Sequence, residues 1–109
     1  MALLLQSAST LPDGGVVVTG RGEIDQHTAA QLWRYLSHLI LQGHRHIVLD
    51  LRSIGLVDAA GFDVIARASA WTRRKDGDLV LRSSSPALAK RLQLARLSQA
   101  RRSHPSGGG

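Results

Sequence analysis

The stretch IVLDLRSIGLVDAAGFDVI, Ile47 to Ile65, starts as a buried strand, bends at Ser53 to Gly55 and continues into a helix that opens at Asp58. A strand-to-helix junction gathers unpaired backbone N–H groups and the positive end of the helix dipole, so phosphates, nucleophiles and partner contacts are often placed there. Here the junction offers Asp58, Ala59, Ala60 and Gly61. Those last three positions supply neither a hydroxyl nor a thiol, so they cannot take a phosphate on oxygen, while the small turn can still receive a partner at the helix start.

Other groups capable of chemistry are sparse. Asp25 lies just before Thr28 and can hold the loop that leads into the helix there. His44 and His46 flank Arg45 at strand spacing, but two histidines without a third ligand do not make a metal site. Ser83, Ser84 and Ser85 supply hydroxyls that a helix cap and a loop account for. There is no nucleophile elbow with an ordered Ser–His–Asp set, no Walker glycine loop and no zinc-ligand cluster, and Glu23 is the only glutamate. GRGE, Gly20 to Glu23, is too short for a phosphate loop. The residues therefore point to a protein that is not an enzyme, with no catalytic residue, no metal and no cofactor.

These groups must be positioned by one domain, for which 109 residues suffice with little left over. Hydrophobic residues make up 43% and mean hydropathy is −0.06, values of a folding chain rather than a disordered one. The absence of cysteine excludes a disulfide framework and thiolate chemistry and suits the cytoplasm. The N-terminal apolar run Ala2 to Leu5 is too short for a signal or a membrane span, so no membrane insertion is expected.

The +6 charge is uneven. Residues 1–66 carry four arginines against six acids, whereas residues 67–109 carry ten basic residues against Asp76 and Asp78. Such a basic half is ordinarily a solvated face, and it can also meet an acidic protein, nucleic acid or lipid. Trp33, Tyr35, Phe62 and Trp71 are not interleaved with the basic residues, and no specific nucleic-acid motif is present.

Period and punctuation supply the elements. Leu3 to Ser7 and Gly15 to Thr19 are β-like and, joined by LPDGG, should pair as a hairpin. Thr28 and Gln31 have capping-box spacing before a helix whose Leu32, Leu36, Leu39 and Ile40 form one apolar stripe and whose end is expected at Gly43. His46 to Leu51 is the strongest strand. In the helix capped by Asp58, Gly61, Ile65, Ala68 and Thr72 share the core side, Asp63, Arg67 and Arg74 point out, and Phe62 and Trp71 take opposite flanks as core residues or partner anchors. KDGD, Lys75 to Asp78, ends this helix before a strand at Leu79 to Arg82. Ser85, Pro86, Leu88 and Leu92 define a third helix, and residues 98–109 have the composition of a polar, flexible tail. The expected fold is α/β, a mixed sheet with helices packed against it, within residues 1–97.

Four segments in this order resemble the STAS domain family, the anti-sigma factor antagonists: VTGRGEIDQHTA at Val18 to Ala29 with GEID as its core, HIVLDLRSIGLVDAAGFDVI, DGDLVL, and SPALAKRLQLARL. The resemblance spans Leu3 to Leu97. It implies a STAS-like fold and a regulatory module that binds an anti-sigma factor of the serine-kinase type. In that family the residue after the signature aspartate is usually a phosphorylated serine or threonine. Asp58 matches the aspartate and Ala59 the phosphoacceptor, so the resemblance implies a phosphoswitch with its hydroxyl removed. The partner-binding surface it implies comprises Asp25, Gln26, Thr28, Asp58, Ala59, Ala60, Gly61, Phe62 and Asp63. Arg96 stands where the family often has glycine, and Ser98 to Gly109 is too short and polar for a further helix. The partner or the association state, a homodimer included, can therefore differ. An alternative within the resemblance is a small STAS subunit on the ATPase of a lipid-transporting ABC complex.

Overall fold

A computed structural model describes residues 2–8 and 15–103, from 99 onward by their backbone alone. Along them run β1 (Leu3–Ala8), β2 (Val16–Ile24), α1 (Ala29–Leu41), β3 (His46–Val57), α2 (Ala59–Arg74), β4 (Asp78–Arg82) and α3 (Pro86–Ser103). β1 pairs antiparallel with β2, as the hairpin pattern predicts, although Leu11 to Gly14 of the expected turn lie outside the described residues. β3 and β4 then add in parallel, giving a mixed sheet in the order β1-β2-β3-β4.

The crossovers explain the layering. α1 links β2 to β3 and α2 links β3 to β4, both stepping the same way along the sheet, so crossovers of the usual right hand place both helices on one face. Val16, Val18, Ile47, Leu49, Leu51 and Leu79 point into that face and are almost wholly buried. Leu32, Leu36, Leu39 and Ile40 of α1, Val64, Ile65 and Ala68 of α2, and Leu88 and Leu92 of α3 close the core over them. Full burial of each large aliphatic side chain is worth about 2 kcal/mol, and this sum, opposed by chain entropy, fixes the frame of the site.

α2 is the middle helix, packed against α1, α3, β3 and β4. Its sequence wheel holds: Gly61, Ile65, Ala68 and Thr72 are buried while Asp63, Arg67 and Arg74 are exposed. Phe62 and Trp71 are half-buried on opposite flanks, Phe62 under Arg91 of α3 and Trp71 against Trp33 of α1.

Three expectations need revision. β3 does not end at Leu51; it runs on to Val57, because β2 also continues past Thr19 to Ile24, and the two register shifts in their pairing fall between Asp50 and Ser53 and between Ile54 and Leu56, at the expected bend. The capping box does not form, for reasons given below. α3 runs on to Ser103, across the tail boundary expected at Ser98; residues 104–109 lie outside the described set. Gly43 does end α1: it takes φ 98°, and the N–H groups of Gly43 and His44 reach back to Ile40 and Leu39 carbonyls.

Candidate functional site

Asp58 sits at the carboxyl end of β3 with extended backbone angles, φ −88° and ψ −174°, which aim its side chain over the first turn of α2. Its Oδ1 accepts the Gly61 N–H at 2.9 Å, and its Oδ2 accepts the Gln26 N–H at 3.0 Å. Its own N–H donates to the Ile24 carbonyl at 3.0 Å. One carboxylate thus caps α2 and ties the turn after β2 to it. The capping role expected from sequence is present, and the tether to Gln26 is added by the fold.

Beside this brace, Ala59 is exposed and Ala60 half-buried. Gly61 is buried against β2: a Cβ there would stand 2.4 Å from Ile24 Cγ2 and 2.8 Å from the Ile24 carbonyl oxygen. Only glycine lets the helix start this close to the strand end. Phe62 lies with the Arg91 guanidinium 4.3 Å from its ring centre, and exposed Asp63 pairs with Arg67 one turn on at 3.3 Å.

Asp25 organises the other half. Its Oδ1 accepts N–H groups of His27 at 2.8 Å and Thr28 at 3.1 Å, and its carbonyl accepts those of Thr28 and Ala29. The His27 N–H, helped by Thr28 and opposed by partial desolvation, holds the Asp25 carboxyl below the usual carboxylate range. This explains the missing box. Thr28 has helical rather than extended backbone angles, and its hydroxyl donates back to the Glu23 carbonyl at 2.8 Å while accepting the Asp25 N–H at 3.0 Å. Gln31 instead donates to the Leu3 carbonyl at 2.8 Å, pinning α1 to β1.

Asp25, Gln26 and Thr28 are therefore brought beside Asp58, Ala59 and Ala60, with Phe62 and Asp63 on the following turn. Gly61 and Thr28 are buried, so they shape the surface from beneath, whereas Gln26, Ala59 and Asp63 are open to contact. Next to them a crevice of about 320 Å³ separates Ile54 to Val57 of β3 from Ser83 to Ser85 and Arg91. Sequence reading passed over Arg91 and Ile24; their roles arise from contacts between distant segments.

Arg96 has a structural use. Its Nε donates to Ser69 Oγ at 3.0 Å and its Nη2 to the Leu79 carbonyl, strapping α3 to α2 and β4. Burial and neighbouring Arg73 push its pKa down, against the opposing pull of Asp78. His46 pairs with Asp78 at 2.9 Å across β3 and β4, and no cluster of three potential metal ligands occurs among the described residues. No helix among them is long and apolar enough to cross a membrane.

The fold recurs in known proteins. A solved anti-sigma factor antagonist from Mycobacterium paratuberculosis superposes with a TM-score of 0.70 at 22% identity, covering 91% of this chain and 82% of that one. The unphosphorylated form of the anti-sigma factor antagonist SpoIIAA gives 0.69 at 23% identity, over 85% of this chain and 83% of that one. BtrV of Bordetella bronchiseptica, named as an anti-sigma factor antagonist, is 30% identical over 74 residues, 68% of this chain. The match spans 64% of BtrV, just under two thirds of its length. The sequence profile of the STAS domain matches residues 7–104, and on that span the chain belongs to the STAS domain family.

Proposed function

We propose that the chain is a non-catalytic, cytoplasmic binding module that acts as an anti-sigma factor antagonist without a phosphoswitch at position 59. The first turn of α2 and the Asp25–Thr28 turn form one docking surface for an anti-sigma factor of the serine-kinase type. The observation that carries this reading is the exposed methyl group of Ala59 directly after the Asp58 cap. SpoIIAA is known in phosphorylated and unphosphorylated forms. A phosphate placed after the cap would meet a neighbouring carboxylate and disfavour a covering partner; alanine leaves the turn small and neutral, so binding is constitutive.

Pull-down with mass spectrometry supplies the partner; recovery of a transport ATPase would favour the ABC-subunit alternative. Calorimetric titration of Ala59→Asp against that partner should show binding at least tenfold weaker, about 1.4 kcal/mol, with an unchanged melt. The new carboxylate suits a helix N-terminus but loses water under a partner and repels Asp58. Phosphopeptide mapping after incubation with the partner and ATP should find no label in Asp58 to Asp63. Unchanged affinity of the Ala59→Asp protein would remove this turn from the interface.

A further inference from the structure

At the far end of α2, about 18 Å along the helix from Ala59, lies an open groove of about 570 Å³ lined by Trp33, Arg67, Ala70, Trp71, Arg74 and Lys75. Its floor is aromatic. The rings of Trp33 and Trp71 lie 5.7 Å apart at 31°, both half-buried, and the Arg67 guanidinium stands 4.8 Å from the Trp33 ring. Asp63 holds Arg67 in place at 3.3 Å. The rim is cationic: no carboxylate lines the groove, and among the described residues neither Arg74 nor Lys75 has an ion-pair partner.

From this arrangement we infer a second docking site, for an acidic peptide segment of a partner protein that carries a bulky apolar residue. Charge selects the segment. The C-terminal end of a helix contributes about half a negative charge, which complements nearby cations, but Arg74 and Lys75 outweigh it and leave the groove positive even with Arg67 offset by Asp63. Shape selects a peptide over a small anion, because small-molecule sites enclose most of their ligand and this groove is open. Half-exposed tryptophans with an arginine laid over one of them form the kind of anchor that dominates protein interfaces. This site does not depend on the reading of the Ala59 turn.

Both tryptophans of the chain line the groove, so intrinsic fluorescence reports on it directly. A tryptophan-free random peptide display library is selected on the full chain, and enriched sequences are synthesised and titrated. They should carry acidic residues beside a Leu, Phe, Met or Tyr and shift or quench the tryptophan emission, more weakly as salt rises. Arg74→Glu/Lys75→Glu should reduce their affinity at least tenfold in a chain that still melts cooperatively, two carboxylates at the helix C-terminus lowering the melt only slightly, while Ala59→Asp leaves the affinity unchanged. The proposal is overturned if selection yields no acidic sequences, if the double variant binds as tightly, or if binding is lost in Ala59→Asp. An emission response to ATP without any enriched peptide would assign the groove to a small anion instead, and equally overturns it.

Discussion

The two ends of α2 present surfaces made in opposite ways. At the first turn Ala59, Ala60 and Gly61 contribute almost no side chain, and the surface is backbone held in place by two carboxylates, Asp58 and Asp25. At the last turn the surface is side chain, with Trp71, Arg74 and Lys75 facing Trp33. A surface built from backbone fit shares its determinants with the fold, whereas one built from projecting side chains can change while the fold stands. Substitutions at the first end should therefore cost stability, binding or both, and substitutions at the second should cost binding alone.

The largest effect belongs to Gly61→Val. Its Cβ would meet Ile24 at 2.4 Å, and the 2.8 Å approach to the Ile24 carbonyl involves backbone that cannot simply rotate away. A loss of about 3 kcal/mol is expected in urea denaturation. A loss below about 1 kcal/mol would show that the start of α2 can shift, and the contrast between the two ends would lose its basis.

Asp58→Ala should follow, at about 1.5 kcal/mol, because it removes the cap on Gly61 and the tether to Gln26. Exposed Gln26 can find water, which keeps the loss below that at Gly61. Combined with Gln26→Pro, which removes the tethered N–H, the cap can be separated from the tether in a double-mutant cycle.

These two residues also mark how far sequence reading reaches. The cap and the helical stripe of α2 were legible because they depend on neighbours within four positions. The tether was not, since Gln26 and Asp58 are 32 positions apart. Thr28 and Gln31 show the same limit from the other side. Their spacing satisfies the local rule, but the Leu3 carbonyl and the Glu23 carbonyl offered partners that no local pattern contains. The mixed sheet was legible because two β-like runs around a turn, followed by strands separated by helices, dictate it. The extension of β3 through Ser53 to Val57 was not, because pairing with β2 overrides weak local breakers.

A smaller effect should appear in acid. The Arg52 guanidinium, bound to both oxygens of Asp50 at 3.1 and 2.8 Å, holds that carboxyl below its ordinary range, as backbone N–H groups do for Asp25. Folded-state pKa values that are depressed contribute stability above the unfolded value, near pH 4, and that contribution disappears as pH falls through the folded values. Asp50→Asn should therefore narrow the stability difference between about pH 6 and about pH 3. Because Arg52 is largely exposed and screened by solvent, the change should stay below that of Asp58→Ala.

The smallest effect is expected at the other end of the helix, and it tests the contrast most directly. Arg74→Ala/Lys75→Ala should alter unfolding free energy by no more than about 0.5 kcal/mol, the range of surface changes away from caps and cores. Both side chains are exposed, and neither forms an ion pair among the described residues. Favourable contact with the helix dipole is lost, but relief of repulsion within Arg73, Arg74 and Lys75 offsets it. Urea denaturation at low and high salt measures both terms, since screening weakens them together. A loss above about 1 kcal/mol would mean that these cations hold the end of α2 in place. Both ends of the helix would then serve the fold, and the groove would no longer be separable from it.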